Sequence, residues 1–172
     1  MDATQGLTQV TELTRSAFNA WSSVGDFLII IVPIVVFFLF AWYVGRGPFV
    51  AILIAFYCSY ALYAAFPFMS LLPTAPAITA FLAHAGLYLA LSFVFYVILR
   101  RVVVSDFLYV GNIGLIILAF LATAFLIALA YHVFDVTTVY TFTAPIAAIF
   151  SPEQFFFWWF VAPAVGLFFL AR

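Results

Sequence analysis

Apolar residues in this chain gather into five long runs separated by short polar breaks. Phe27–Val44 (FLIIIVPIVVFFLFAWYV), Phe49–Phe66 (FVAILIAFYCSYALYAAF), Ala77–Leu99 (AITAFLAHAGLYLALSFVFYVIL) and Gln154–Ala171 (QFFFWWFVAPAVGLFFLA) contain no Asp, Glu, Lys or Arg. The fifth run lies within Phe107–Phe134, which is too long for one upright crossing. GNIG at Gly111–Gly114 is a natural break and places that span near Gly114–Phe134. A bilayer core of ~30 Å is crossed by ~20 helical residues. Inside lipid every backbone polar group must be bonded within its own segment, and no run alternates apolar and polar residues as a membrane barrel would. The pattern therefore predicts an all-α integral membrane protein with about five transmembrane helices.

Before the first run the periodicity changes. Leu7, Val10, Leu13, Ala17, Trp21 and Val24 recur at three- or four-residue steps, with polar residues between them. This predicts an amphipathic helix lying on the outer surface, with Trp21 at head-group level and Asp2 with Gln5 as a capping box. The tail lacks the basic start and small-residue cleavage site of a removable signal peptide. Two parts follow: an interfacial segment over 1–25 and a single transmembrane domain over 26–172.

The breaks carry their own chemistry. GRGP at Gly45–Pro48 ends one helix and opens the next, with Pro48 where a missing N–H costs little. Ser151, Pro152, Glu153 and Gln154 read as an N-cap followed by a first turn. Pro33 and Pro163 fall inside spans, where they bend the helix and free a carbonyl. TAPAITAF (Thr74–Phe81) and TAPIAAIF (Thr143–Phe150) form a weak repeat, and the second copy suggests a short helix at or partly in the membrane. Sequence alone leaves 135–150 open between a re-entrant, an interfacial and a loop segment. Ala83, Gly86 and Ala90 in span 3, with Ala124 and Ala128 in span 4, predict a tight hairpin of those two helices.

Composition agrees with lipid as the solvent: 69% of residues are hydrophobic and 6% charged, against roughly 45–50% and 25% in soluble domains. The net charge of −1 gives no basic surface for nucleic acid. One cysteine, Cys58, excludes an intrachain disulfide and a cysteine metal cluster. There is no lysine, so a retinal Schiff base and the usual pyridoxal phosphate linkage are excluded.

Charge sets an expected orientation. Five spans place Arg46, Arg100, Arg101 and Arg172 on one side and Arg15 on the other. Short cytoplasmic loops collect arginine, so these four read as topology anchors, with the N-terminus outside and the C-terminus cytoplasmic. Asp2, Glu12, Asp26, Asp135 and Glu153 fall outside and Asp106 inside. The alternative role for the arginines is to grip an anionic head group or a partner.

Candidate chemistry is sparse. HExxH, GxSxG, a Walker loop and a dinucleotide glycine fingerprint are all missing. The expectation is no catalytic, cofactor-binding or metal residue. His84 lies about seven residues inside span 3, roughly 10 Å deep, and His132 is near the outer end of span 4. With Asp26 and Asp135 at the outer edge they form a possible polar or proton site. The expected geometry is a shared outer-leaflet pocket between spans 3 and 4, closed by 135–150. The other reading makes each histidine a neutral hydrogen-bonding partner of a neighbouring helix. Tyr57, Tyr60, Tyr63, Tyr88, Ser92 and Asn112 read as interhelical hydrogen-bonders.

A span opening on an acid and closing on VGRGPF, an arginine-anchored second turn, and SDFLYVGNIGLIILAFLATAFLIALAYHVF together resemble the colicin V production protein family over residues 26–134. The resemblance implies a small bacterial inner-membrane protein linked to export or envelope processes, with no defined active site. The chain departs from that family in its amphipathic tail, its Trp-rich last span and its lack of a basic cluster after span 1. FFFWWF (Phe155–Phe160) adds a lipid- or partner-facing surface. The favoured function is a non-enzymatic scaffold or assembly subunit. Its partners would be membrane lipids and a second copy or another membrane protein. A small oligomeric transporter or channel with an outer-leaflet histidine site is the alternative.

Overall fold

A computed structural model describes residues 24–102 and 111–170. The expected helix over 1–25 falls outside the described residues up to position 23, as do Arg15, Trp21, Asp106 and Arg172. Among the described residues six α-helices follow one another: α1 Val24–Tyr43, α2 Arg46–Ala64, α3 Ala77–Val102, α4 Asn112–His132, α5 Ala144–Phe150 and α6 Glu153–Leu170. Single 3-10 turns at Met69–Leu71 and Val136–Thr138 sit in the connections. All except α5 are long and apolar enough to cross a membrane, and no strand occurs among the described residues.

The breaks follow local chemistry. Gly45 adopts φ 116°, a backbone conformation that a side chain would strain, and the chain reverses there between α1 and α2. Gly111 precedes α4, which starts at Asn112, two residues before the expected Gly114. The second TAP copy forms α5, as expected from its sequence. Ser151 is not the N-cap of α6. Its N–H closes α5 on the Ala147 carbonyl at 2.8 Å, and Phe155 N–H bonds Pro152 O at 2.9 Å instead. Only two residues separate α5 from α6, so the serine is consumed in finishing the first helix.

Helix pairing differs from the expected hairpin. α3 lies against α2, and α4 lies against α6. The ridge on α3 fails to select α4 because it points away: a Cβ on Gly86 would meet nothing within 4 Å, and Ala90 is exposed. Aromatic interlock decides the pairing. Tyr88 of α3 is 1% exposed; its ring stacks 6.3 Å from Phe56 of α2, and its hydroxyl donates to Phe56 O at 3.0 Å. Phe56 also meets Phe37 of α1 at 6.0 Å and Phe125 of α4 at 6.4 Å. One phenylalanine thus joins four helices. Such pairs add about 0.5–1.5 kcal/mol each beyond the area they bury.

Ala124 and Ala128 are buried, but against α5 and α6, where Phe150, Ile146 and Trp159 pack on them. The close approach of α6 to α4 runs through Gly166, where a Cβ would stand 2.5 Å from Leu121 Cδ1. Pro163 is buried inside α6. Beside this break in the helix ladder, Tyr57 of α2 donates its hydroxyl to Phe160 O at 2.6 Å. A carbonyl next to a proline kink thereby gains a donor from a neighbouring helix.

Candidate functional site

Bonded polar side chains gather at the end of the bundle that holds Asp26 of α1, the start of α6 and the finish of α4. The segment between α4 and α5 organises them. Asp135 adopts φ 48°, a left-handed conformation that aspartate tolerates better than most residues. Thr137 Oγ1 donates to Asp135 Oδ1 at 2.6 Å, and Thr138 Oγ1 donates to Asp135 O at 2.9 Å. The exposed Asp135 therefore shapes its own turn.

Past that turn, Tyr140 and Thr143 reach Asp26 of α1. The Tyr140 hydroxyl donates to Asp26 Oδ1 and the Thr143 N–H donates to Oδ2, each at 2.7 Å. Asp26 is 1% exposed, so both oxygens have traded water for these charge-assisted bonds. Gly25 leaves room for the arrangement, since a Cβ there would lie 3.2 Å from the Tyr140 hydroxyl. The Asp26 carboxylate that accepts its proton pushes Tyr140 above the ordinary tyrosine value, because a tyrosinate would both lose the bond and face a like charge.

The other end of α5 is tied as well. His132 of α4 donates from Nε2 to Phe150 O at 2.9 Å, and its ring lies 4.9 Å from Phe156 of α6. Trp159 of α6 donates from Nε1 to Ile149 O at 3.2 Å and stacks 4.9 Å from Phe150. The final carbonyls of a helix have no partner within it; here two of them receive side-chain donors. So α1 holds the start of α5, while α4 and α6 hold its end. Beneath α5 lies an apolar cavity of about 200 Å³ lined by Ile30, Thr123, Ala124, Ile127, Ile146 and Trp159.

The four residues expected to share a site each have a partner of their own. His84 meets the Tyr63 hydroxyl at 2.8 Å through Nδ1, on the α2 side of α3, whereas His132 serves α5. The pairing of α3 with α2 puts a tyrosine beside His84. Asp26 and His132 act on the same segment from opposite ends, and Asp135 is spent locally. Among the described residues no three His, Cys, Asp or Glu side chains assemble as a metal-ligand group. Tyr63, Tyr140, Thr143 and Trp159 complete the ties and were not singled out from sequence as partners of these groups. Tyr57, Tyr63 and Tyr88 bond between helices as read; Ser92 bonds its own helix at Tyr88 O.

At the far end, Arg46 donates from Nη2 to Asn112 Oδ1 at 3.2 Å, joining the starts of α2 and α4. Arg100 and Arg101 are exposed in the last described turn of α3.

The Tyr63–His84 bond is a discrete test. His84→Gln retains an acceptor for the hydroxyl and is expected to keep most of the stability. His84→Leu is expected to lose roughly 0.6–2 kcal/mol, the scale of one interhelical bond in lipid, read by unfolding in mild detergent. Equal stability of the two variants would show that the bond contributes little.

No family model, curated protein or solved structure matches this chain at a significant level.

Proposed function

We propose that this is a multi-pass membrane protein acting as a non-enzymatic scaffold or assembly subunit. Its N-terminus faces outward and its C-terminus faces the cytoplasm. The observation that carries the reading is the outer face of α6. Trp158 is 66% exposed between two open apolar grooves of about 340 and 380 Å³, one lined by Val161, Ala162 and Val165 and the other by Ala148, Ile149 and Phe155. Next to it, Trp159 lines both grooves as well and is tied to α5 through Ile149 O and the Phe150 ring. Of the two adjacent tryptophans, Trp159 is also used within the fold, whereas Trp158 is left for a neighbouring helix. The histidines and Asp26 support the same reading, since each is engaged in holding one element to another. The family resemblance read from the sequence adds a bacterial cytoplasmic membrane linked to export or envelope processes. The partner is a second copy of the chain or another membrane protein.

Trp158→Ala and Trp159→Ala separate these uses. Trp158→Ala is expected to weaken a detergent-stable complex several-fold, in line with tryptophan's prominence at interface hot spots, with insertion and folding unchanged. Trp159→Ala is expected to lower the unfolding temperature, because it removes both the Phe150 stack and the Ile149 bond. Native gel electrophoresis and crosslinking in membranes read the first effect. A complex untouched by Trp158→Ala would leave that tryptophan as an interfacial-belt residue and end the assembly reading of α6.

A further inference from the structure

We infer that the cavity beneath α5 binds the acyl chain of a membrane phospholipid. Its walls come from α1, α4, α5 and α6, and it measures about 200 Å³, larger than a cavity of about 150 Å³ that holds benzene. Only two of its nine lining side chains carry a polar atom, and both are spent within the protein. Thr123 Oγ1 donates to Ala119 O at 2.9 Å, and Trp159 Nε1 donates to Ile149 O at 3.2 Å. A bound water needs about two to four polar partners, and a polar ligand would lose its own hydrogen bonds on entering. The chemistry of the wall selects hydrocarbon.

Position identifies which hydrocarbon. Phe120 of α4 and Ile149 of α5 line the cavity and are 46% and 48% exposed, so it opens on the outer surface of the bundle. Ala124 and Ile127 lie deeper, at 2% and 7%. At about 1.5 Å per residue, Thr123 stands roughly 14 Å and Phe120 roughly 18 Å along α4 from His132. The opening therefore faces the hydrocarbon layer, below the head groups, where phospholipid chains are the solvent. Ile146 and Phe150 of α5 form the roof. The ties to Asp26 before its start, and to His132 and Trp159 at its end, hold that roof over the space. Protein interiors keep few voids larger than a water molecule; here the bonds that position α5 fix the height of one.

The test is photolabelling of the full chain in phosphatidylcholine vesicles that carry a small share of phosphatidylcholine with a diazirine midway along one acyl chain. Adducts are located by mass spectrometry after digestion. They are expected on buried Ala124 or Ile127 as well as on Phe93 and Val94, which are exposed on α3. Ala124→Leu fills the space and is expected to lower the Ile127 adducts about fivefold, because a packed site rejects extra volume, with those on α3 unchanged. Ile127 labelling indifferent to that change would overturn the inference. So would adducts confined to exposed residues in the unaltered chain, the pattern expected if a side chain of a second copy fills the cavity; this arm decides even if the leucine variant fails to fold. A free fatty acid with the same diazirine, at the same share, is expected to label Ile127 no more strongly than the phospholipid. Stronger labelling would overturn the phospholipid part. The inference rests on the membrane-spanning reading. A chain labelled on α3 but at neither Ala124 nor Ile127 refutes only the acyl-chain site, whereas a chain labelled nowhere has not inserted and refutes the reading beneath it.

Discussion

Asp26→Ala is expected to release the segment that carries α5, at a cost of about 3 kcal/mol or more. The two donors aimed at Asp26 come from one short stretch, Tyr140 and Thr143, and the acid is fully enclosed. A hydrogen bond to a charged group is worth roughly 1.5–3 kcal/mol, and a buried donor left without its acceptor loses the water it gave up. Asp26→Asn is the sharper variant. Its amide offers one oxygen where two donors require two, so an N–H must face either the Tyr140 hydroxyl or the Thr143 N–H. The expected loss is roughly 1.5–3 kcal/mol, despite near-identical shape. Asp135→Ala, at an exposed turn, is expected to lose about 1–2 kcal/mol, from the left-handed backbone that alanine accepts less readily. Hydrogen exchange at the Thr143 amide and protease cleavage within 135–150 report the release directly, and thermal unfolding reports its magnitude. An asparagine variant as stable and as protected as the native chain would show that the acid is not the acceptor both donors need.

Neutralising Arg100 and Arg101 together is expected to give mixed orientations of α3 and α4, the second large effect. With Arg46 these residues gather at one end of the bundle, opposite Asp26, Asp135 and Glu153. Basic residues close to a span's end are held back from crossing, and the bias is counted over short loops such as these. A reporter active only in the cytoplasm, fused after Arg172, is expected to be active in the native chain and partly lost in the double variant. The same reporter placed before Asp2 is expected to be silent. The inverse pattern would refute the orientation. Uniform insertion of the variant would assign the pair to head-group binding alone.

The elements were largely legible from sequence, and the partnerships were not. Runs without charge marked five long helices to within a few residues, and GRGP marked the turn where Gly45 takes a positive φ. In these helices, however, both faces are apolar. Phe93, Val94 and Val97 of α3 are exposed while Tyr88 and Ser92 are buried, and a water-soluble pattern of inside and outside does not exist to separate them. Pairing then depends on shape. The small residues of α3 suggested a neighbour, but the rings of Tyr88 and Phe56 chose another. At the site, Asp26 stood out as an acid at a span's edge. Its partners, 114 and 117 positions away, were a tyrosine and a backbone N–H. No spacing rule connects groups that only tertiary structure brings together, and a main-chain donor leaves no trace in residue type. His84 was read as a candidate polar group, yet its partner Tyr63 belongs to a helix whose face could not be chosen from periodicity.

The separation between Asp26 and its donors also orders events on the ribosome. Asp26 is made early, and Tyr140 and Thr143 appear 114 and 117 residues later. At ~5–20 residues per second, the acid waits roughly 6–23 s for its partners. α2 and α3 emerge consecutively and can lock through Tyr88 and Tyr63 at once. α4 emerges before α6, so Tyr57 has no Phe160 carbonyl to meet until the end of synthesis. During that interval α1 packs through Phe37, Ala41 and Ile34, with its carboxylate not yet met by Tyr140 and Thr143. The last third of the chain therefore closes the structure last, and a nascent chain halted before Tyr140 keeps the Asp26 end open.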